Sequence, residues 1–469
     1  MRTHWLGGTL AVLAFAATFA TTAGDARQAQ RSAQPAQRLA QPAPAPAPAP
    51  KAAPAASAAP AKNPLLRDTQ ALFDSLVSSG KMPGIVAAFG VGDMPTQFVS
   101  AGRIADDPGA APAGPDSLWR IYSMTKPITG MAAMLLIEDG KISLDDPVSK
   151  YFPGFATMRV LTSPDTSLDS VPAKNPILIR NLLTHSAGLG YSISAKGPLL
   201  KEYERLGIVP AQLNTQVEAK ARQTRPTNLA EFARRVATVP LIAEPGTKWH
   251  YSIGLDVMGA VIEKVSGMPF DRFVQTRLLD PLNMRSTYWS VPAREASRLS
   301  TNYIFVGDKR TVIDPGARSV YLTPPSFPYG GAGLVSSARD YDRFLHMLAN
   351  GGILDGKRVM KAETAALGMS NLLPPGVLFE GIGGGTGGTM SARMGFGAGG
   401  SLYLEDAPGG MPTKGTYGWG GAAGTIAWVD PINKRRGTVM VQFMPAEQWG
   451  LRQSIPPALA RDMQRLTGR

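Results

Sequence analysis

Tyr122-Ser123-Met124-Thr125-Lys126-Pro127 opens a long apolar run that continues through Ile128, Met131, Ala132, Leu135 and Leu136 to Glu138. Apolar residues at that spacing predict a helix, and a Ser and a Lys three apart at its start lie on one face, within reach of each other. The positive end of the helix dipole favours negative charge beside the serine. A lysine desolvated there can lose its proton and act as a base toward the hydroxyl, which turns a weak nucleophile into a strong one. Spacing alone is weak evidence, because Ser78-Ser79-Gly80-Lys81 has it too. That copy falls at the end of a helical pattern, beside Gly80 and Pro83, with no following helix to aim its groups, and it reads as a coincidence.

The flanking sequence sets the surroundings of that helix. Leu65, Leu66, Leu72, Phe73, Leu76 and Val77 recur at helical spacing and predict an opening helix. Two β-rich runs follow, Gly84 to Val91 and Gln97 to Ile104, separated by Gly92-Asp93 and Pro95 as in a hairpin. Near the other end, Gly424 to Val429 and Gly437 to Phe443 flank Asp430-Pro431-Ile432-Asn433 as a second hairpin, and Leu451 to Leu466 reads as a closing helix. Between them, over roughly 118 to 290, helical patterns such as Gly254 to Val265 and Phe270 to Leu279 dominate. An antiparallel sheet supplied by both chain ends around a helical middle is an α+β arrangement. No internal repeat is visible. The glycine-crowded segment from Gly381 to Gly400 reads as a loop, either a surface insertion or a lid over a site.

Composition narrows the chemistry. With 469 residues, 44% hydrophobic and 18% charged, the chain has room for a real core. It has no cysteine, which excludes disulfides, thiol nucleophiles and thiolate metal sites. Its four histidines, His4, His185, His250 and His346, are nowhere at metal-ligand spacing, so neither a metal nor another cofactor is expected. Met1-Arg2, an apolar run from Thr9 to Ala20 and the small residues Thr21-Thr22-Ala23 predict a signal peptide over 1–23. The run is too short for a membrane span, so the expected product is exported, periplasmic or secreted, with no stable span after cleavage. Residues 24–62, rich in Ala, Pro and Gln, read as a semi-extended linker, and the folded domain is expected over 63–469. The net charge is +13, and beyond residue 62 there remain 42 basic and 34 acidic residues. They are scattered, with no basic stripe interleaved with aromatics, which argues against nucleic acid. The oligomeric state is not set by these features.

Beyond Ser123 and Lys126, several stretches follow in order: Glu138-Asp139-Gly140-Lys141-Ile142-Ser143-Leu144-Asp145-Asp146-Pro147-Val148, Leu182-Leu183-Thr184-His185-Ser186-Ala187-Gly188-Leu189, Pro245-Gly246-Thr247-Lys248-Trp249-His250-Tyr251-Ser252, Asp280-Pro281-Leu282-Asn283-Met284 and Gly330-Gly331-Ala332-Gly333-Leu334-Val335-Ser336-Ser337. Over roughly 70 to 445 this resembles the serine β-lactamase-related superfamily, which contains class C β-lactamases, D,D-peptidases and the family VIII carboxylesterases. The resemblance implies an α+β β-lactamase/transpeptidase-like fold and an acyl-enzyme on Ser123 with Lys126 as base. It also implies that Tyr251, from the family's Tyr-x-Asn element, moves protons. His185 looks structural within that resemblance, and no Gly-x-Ser-x-Gly elbow supports a Ser-His-Asp alternative.

Two departures matter. The Asn of Tyr-x-Asn is Ile253 here, and where lactamases carry Lys-Thr-Gly this chain has Trp419-Gly420-Gly421-Ala422. Trp-Gly-Gly resembles the family VIII esterases; it removes a cation that would hold a β-lactam or peptide carboxylate, and its glycines admit close approach of the strand to a substrate. The amides of Ser123 and Ala422 would form the oxyanion hole. These residues point to a small-molecule ester as substrate. A β-lactamase or D,D-peptidase is the alternative within the class, and a non-catalytic envelope binding protein is the alternative outside it.

Overall fold

The computed structural model describes residues 62–379, 381, 392–408 and 410–467. The predicted signal peptide, and the linker up to residue 61, lie outside the described residues, as does most of the glycine-rich segment. The elements that build the site are, in chain order, α1 (Arg67–Ser78), β1 (Gly84–Val91), β2 (Gln97–Gly102), α2 (Thr125–Glu138), α3 (Ile179–Thr184), α4 (Gly254–Ser266), α5 (Ala338–Ala349), β3 (Met394–Phe396), β4 (Ser401–Tyr403), β5 (Tyr417–Gly420), β6 (Ile426–Asp430), β7 (Arg435–Met440) and α6 (Leu451–Thr467). The strands form one antiparallel sheet in the order β3-β4-β5-β6-β7-β1-β2. Both hairpins expected from the sequence are present, and the two chain ends meet where β1 pairs with β7, Val86 opposite Met440.

The central strand shows why the sheet is covered on both faces. β1 reads Gly-Ile-Val-Ala-Ala-Phe-Gly-Val and is buried through Gly90. Its side chains alternate between two faces. Ile85, Ala87 and Phe89 join Phe73 and Leu76 of α1 and Leu451 and Ile455 of α6 in one core, whereas Val86 and Ala88 join the larger core that contains α2 and α4. A run without polar residues is what a strand with no solvent face requires. Fully burying each large apolar side chain contributes about 1.5–3 kcal/mol.

No side chain of its own N-cap residue caps α1. The cap comes instead from α6: the buried Asp462 carboxylate accepts from the Asp68 N–H at 2.8 Å, the Thr69 N–H at 2.9 Å and the Thr69 hydroxyl at 2.7 Å. Asp462→Ala is therefore expected to lower the unfolding free energy by about 1–3 kcal/mol, the cost of leaving such donors unpaired. Urea unfolding measures this, and an unchanged midpoint would show that the cap carries no stability.

One expectation needs correction. The segment from Gly381 to Gly400 is not wholly a loop, because Met394–Phe396 is a strand paired with Ser401–Tyr403. Its glycines masked a three-residue edge whose pairing partner supplies the order that local composition lacks. Residues 382–391 lie outside the described residues. The predicted helix from Phe270 to Leu279 is present, but its second half, Gln275–Leu279, widens into a π-turn. No helix among the described residues is long and apolar enough to cross a membrane.

Candidate active site

Ser123 sits in a single 3-10 turn, Tyr122–Met124, immediately ahead of α2 rather than within it. Tyr122 before it has φ of 40°, a left-handed backbone that a tyrosine rarely adopts. The surroundings hold it there: the Tyr122 hydroxyl accepts from Asn302 Nδ2 at 3.0 Å, its ring packs edge-on to Tyr321, and the Met124 carbonyl accepts from the Tyr341 hydroxyl of α5 at 2.8 Å. A turn fixed on both sides aims the Ser123 hydroxyl in one direction.

α2 is buried from Thr125 to Leu136, so Lys126 in its first turn has no exposed surface. Its Nζ donates to Ser123 Oγ at 3.1 Å and to the Gly331 carbonyl at 2.7 Å. It also lies 4.6 Å from the centroid of the Tyr251 ring and 5.6 Å from that of Tyr191. Asp256 of α4 is likewise fully buried; its Oδ1 accepts the Gly331 N–H at 2.8 Å. Burial pushes the Asp256 carboxyl up to about 7, against the opposing pull of Lys126 and of the Gly331 amide.

Tyr251 precedes α4 and donates its phenolic O–H to Ser123 Oγ at 2.6 Å. Rings pack around it: His185 at 4.8 Å, Tyr191 at 5.4 Å and Trp419 at 5.8 Å between centroids. The Trp419 indole N–H points at the Tyr251 oxygen from 3.5 Å. His185, which ends α3 in a left-handed conformation, accepts the Ser252 N–H at Nδ1 at 3.2 Å, and burial together with the nearby Lys126 charge holds it well below the usual histidine range. It is a neutral packing residue, as the sequence suggests, and His346 pairs with Asp93 at 3.2 Å far along the chain. Ile253 is fully buried in the larger core, so that position offers nothing to a substrate.

β5 brings the Trp419-Gly420-Gly421 run to the serine. A Cβ on Gly421 would lie 2.5 Å from the carbonyl oxygen of Ile121, so only glycine lets this strand end press against the serine turn. Ala422 follows in an exposed turn closed by Gly421 N–H to Thr425 O at 2.8 Å and by Phe443 N–H to Ala423 O at 3.1 Å. Neither the Ser123 nor the Ala422 amide donates to another described residue. Sequence reasoning also overlooked a cation here: Arg452 of α6 reaches over Gly420, its Nη2 2.0 Å from where a Cβ would stand. The missing lysine thus does not leave this end of β5 without positive charge.

The structure therefore brings Ser123, Lys126, Tyr251 and Trp419 into one hydrogen-bonded chain, with Gly420, Gly421 and Ala422 at its edge. It adds Asp256, Tyr191 and Arg452, which the sequence did not single out, and gives Gly331, known from the sequence only as part of a motif, its contact with Lys126. A usable signal existed for Asp256, a charged residue inside the apolar run Gly254 to Ile262, five positions after Tyr251. Among the described residues no group of three or more His, Asp or Glu is arranged to hold a metal ion.

The chain matches the family model described as Beta-lactamase over residues 69–452. It is 33% identical to Protein Rv1367c of Mycobacterium tuberculosis, covering 81% of this chain and 90% of that one. It is 31% identical to Esterase EstB of Burkholderia gladioli over 77% of this chain and 86% of the esterase. Among solved structures, EstCE1, described as a hydrolase with promiscuous acyltransferase activity, superposes with a TM-score of 0.67 at 26% identity, covering 84% of this chain and 98% of EstCE1.

Proposed function

The chain belongs to the beta-lactamase family and is a serine hydrolase of that fold, and from this we propose that it is an exported esterase that cleaves carboxylic esters through an acyl-enzyme on Ser123. The observation that carries the reading is Ser123 Oγ held between Lys126 Nζ at 3.1 Å and Tyr251 Oη at 2.6 Å. Ser123 Oγ attacks the ester carbonyl carbon as its proton passes to Lys126, which acts here as the neutral amine. The carbonyl oxygen becomes an oxyanion, received by the amides of Ser123 and Ala422. Tyr251 gives its proton to the leaving alcohol as the C–O bond breaks and regains one from Lys126. Water then enters the alcohol's place, and the same groups run in reverse to release the acid.

Trp419-Gly420-Gly421 in place of Lys-Thr-Gly, the buried Ile253 and the likeness to EstB favour esters over β-lactams. The predicted signal peptide supports export, to the periplasm or beyond. Initial rates with p-nitrophenyl butyrate and nitrocefin, on protein from Asn63 onward, test the reading. Dominant ester turnover supports it, and dominant nitrocefin turnover overturns the ester preference.

Arg452 favours a second reading, a hydrolase for β-lactams or cell-wall peptides that carry a carboxylate, because its guanidinium lies beside the strand along which such a substrate would bind. On the ester reading, Arg452→Ala changes the butyrate rate by less than about threefold; a charge-assisted contact to a bound carboxylate would instead be worth about 1.5–3 kcal/mol, or roughly 10–100-fold, on nitrocefin. Comparison of kcat/KM for the two substrates separates the readings.

A further inference from the structure

A buried carboxyl group faces Lys126 across a single glycine. The Gly331 N–H is held by Asp256 Oδ1 at 2.8 Å, and the Gly331 carbonyl is held by Lys126 Nζ at 2.7 Å. Asp256 Oδ2, equally buried, has no hydrogen-bond partner. A Cβ on Gly331 would lie 2.6 Å from that oxygen, so glycine is what permits the approach. A carboxylate sealed from water with one free oxygen costs several kcal/mol unless a charge opposes it, and an asparagine could hold the Gly331 amide equally well. The ionisable carboxyl, which an asparagine would not supply, is therefore the feature that needs a role.

The groups around it are few. Lys126 of α2 is the charge whose field reaches Asp256. The Tyr191 and Tyr251 rings lie against Lys126, and burial together with the Asp256 charge holds Tyr191 well above the usual phenol range. His185 at the end of α3 is neutral.

We propose that Asp256 is a positioning residue for Lys126: it anchors Gly331, whose carbonyl holds Nζ beside Ser123 Oγ, and its carboxylate is the counter-charge that governs when Lys126 can accept the serine proton. This rests on the reading of Lys126 as the base. Asp256 and Lys126 hold the two sides of the same Gly331 residue, so the acid limb of reactivity is expected to respond to a change in either. Removing the carboxylate makes the ammonium form of Lys126 less favourable, and the limb moves to lower pH.

The test is the rate of labelling by a fluorophosphonate between pH 5 and 9, which needs no knowledge of the substrate. In Asp256→Asn the acid limb is expected about one pH unit lower than in the wild type. A role confined to anchoring Gly331 would lower the plateau and leave the limb in place, and that result overturns the proposal. Asp256→Ser, which also lacks the charge but can accept the Gly331 N–H, should show the same displacement, and it serves if the asparagine variant does not fold. If circular dichroism shows both variants unfolded, the carboxylate acts in folding and the proposal fails. Labelled wild type with an unmoved limb in a variant defeats the Asp256 proposal alone. Absence of labelling in the wild type defeats the serine-hydrolase mechanism and the proposal with it.

Discussion

Ser123→Ala is expected to lower kcat for p-nitrophenyl butyrate by at least about 10⁴-fold, the scale on which loss of a serine nucleophile acts. Lys126 and Tyr251 both donate to Ser123 Oγ. On the proposed mechanism, alanine keeps the turn and the backbone amides of residues 123 and 422 and deletes the one atom that would form the new bond. Substrate binding should survive, so KM should change far less than kcat. Intact-mass measurement after mixing with a fluorophosphonate should show one adduct on the wild type and none on the variant. Near wild-type turnover by Ser123→Ala would remove the assignment altogether.

The second large effect is at Lys126. Lys126→Met replaces a fully buried amine with an apolar chain of similar length, a change that a packed interior can accept. The base is lost, and kcat/KM should fall by about 10²–10⁴-fold, the usual contribution of a positioned proton acceptor. Unlike the serine variant, this one keeps its nucleophile, so its residual rate should climb with pH as hydroxide takes over the proton. A flat residual profile, or a loss below about fivefold, would move the role of base to Tyr251, the other donor to Ser123 Oγ. A thermal melt run in parallel shows whether the fold has survived removal of the charge that faces Asp256.

What the sequence made legible was local. Ser123 and Lys126 are three residues apart, and the hairpin from Gly84 to Gly102 and the closing helix from Leu451 each follow from periodicity within a short window. Tyr251, Trp419 and Ala422 were reached only through the order of motifs, since nothing in their own neighbourhoods points to Ser123. Asp256 escaped because its meaning depends on Gly331, 75 residues further on, and on a lysine in a third segment. Arg452 read as one residue of a terminal helix. Only the docking of that helix against the end of β5 places its guanidinium over Gly420. The strand at Met394–Phe396 was hidden because a two-strand edge needs a partner more than it needs β-forming residues.

The meeting of the chain ends has a consequence for how the protein is made. β1 is an inner strand of the sheet, yet its neighbour β7 lies roughly 350 residues later in the chain. At a synthesis rate of about 5–20 residues per second, that separation is on the order of tens of seconds. Through that interval a strand reading Gly-Ile-Val-Ala-Ala-Phe-Gly-Val has no partner on one side and no helix from the far end to cover it. The serine turn and its lysine leave the ribosome early, whereas Trp419 and Ala422 leave late. A nascent chain thus carries Ser123 and Lys126 with no β5 behind them, and truncation before residue 435 removes β7, so on the proposed mechanism competence is acquired only once the last elements close the sheet.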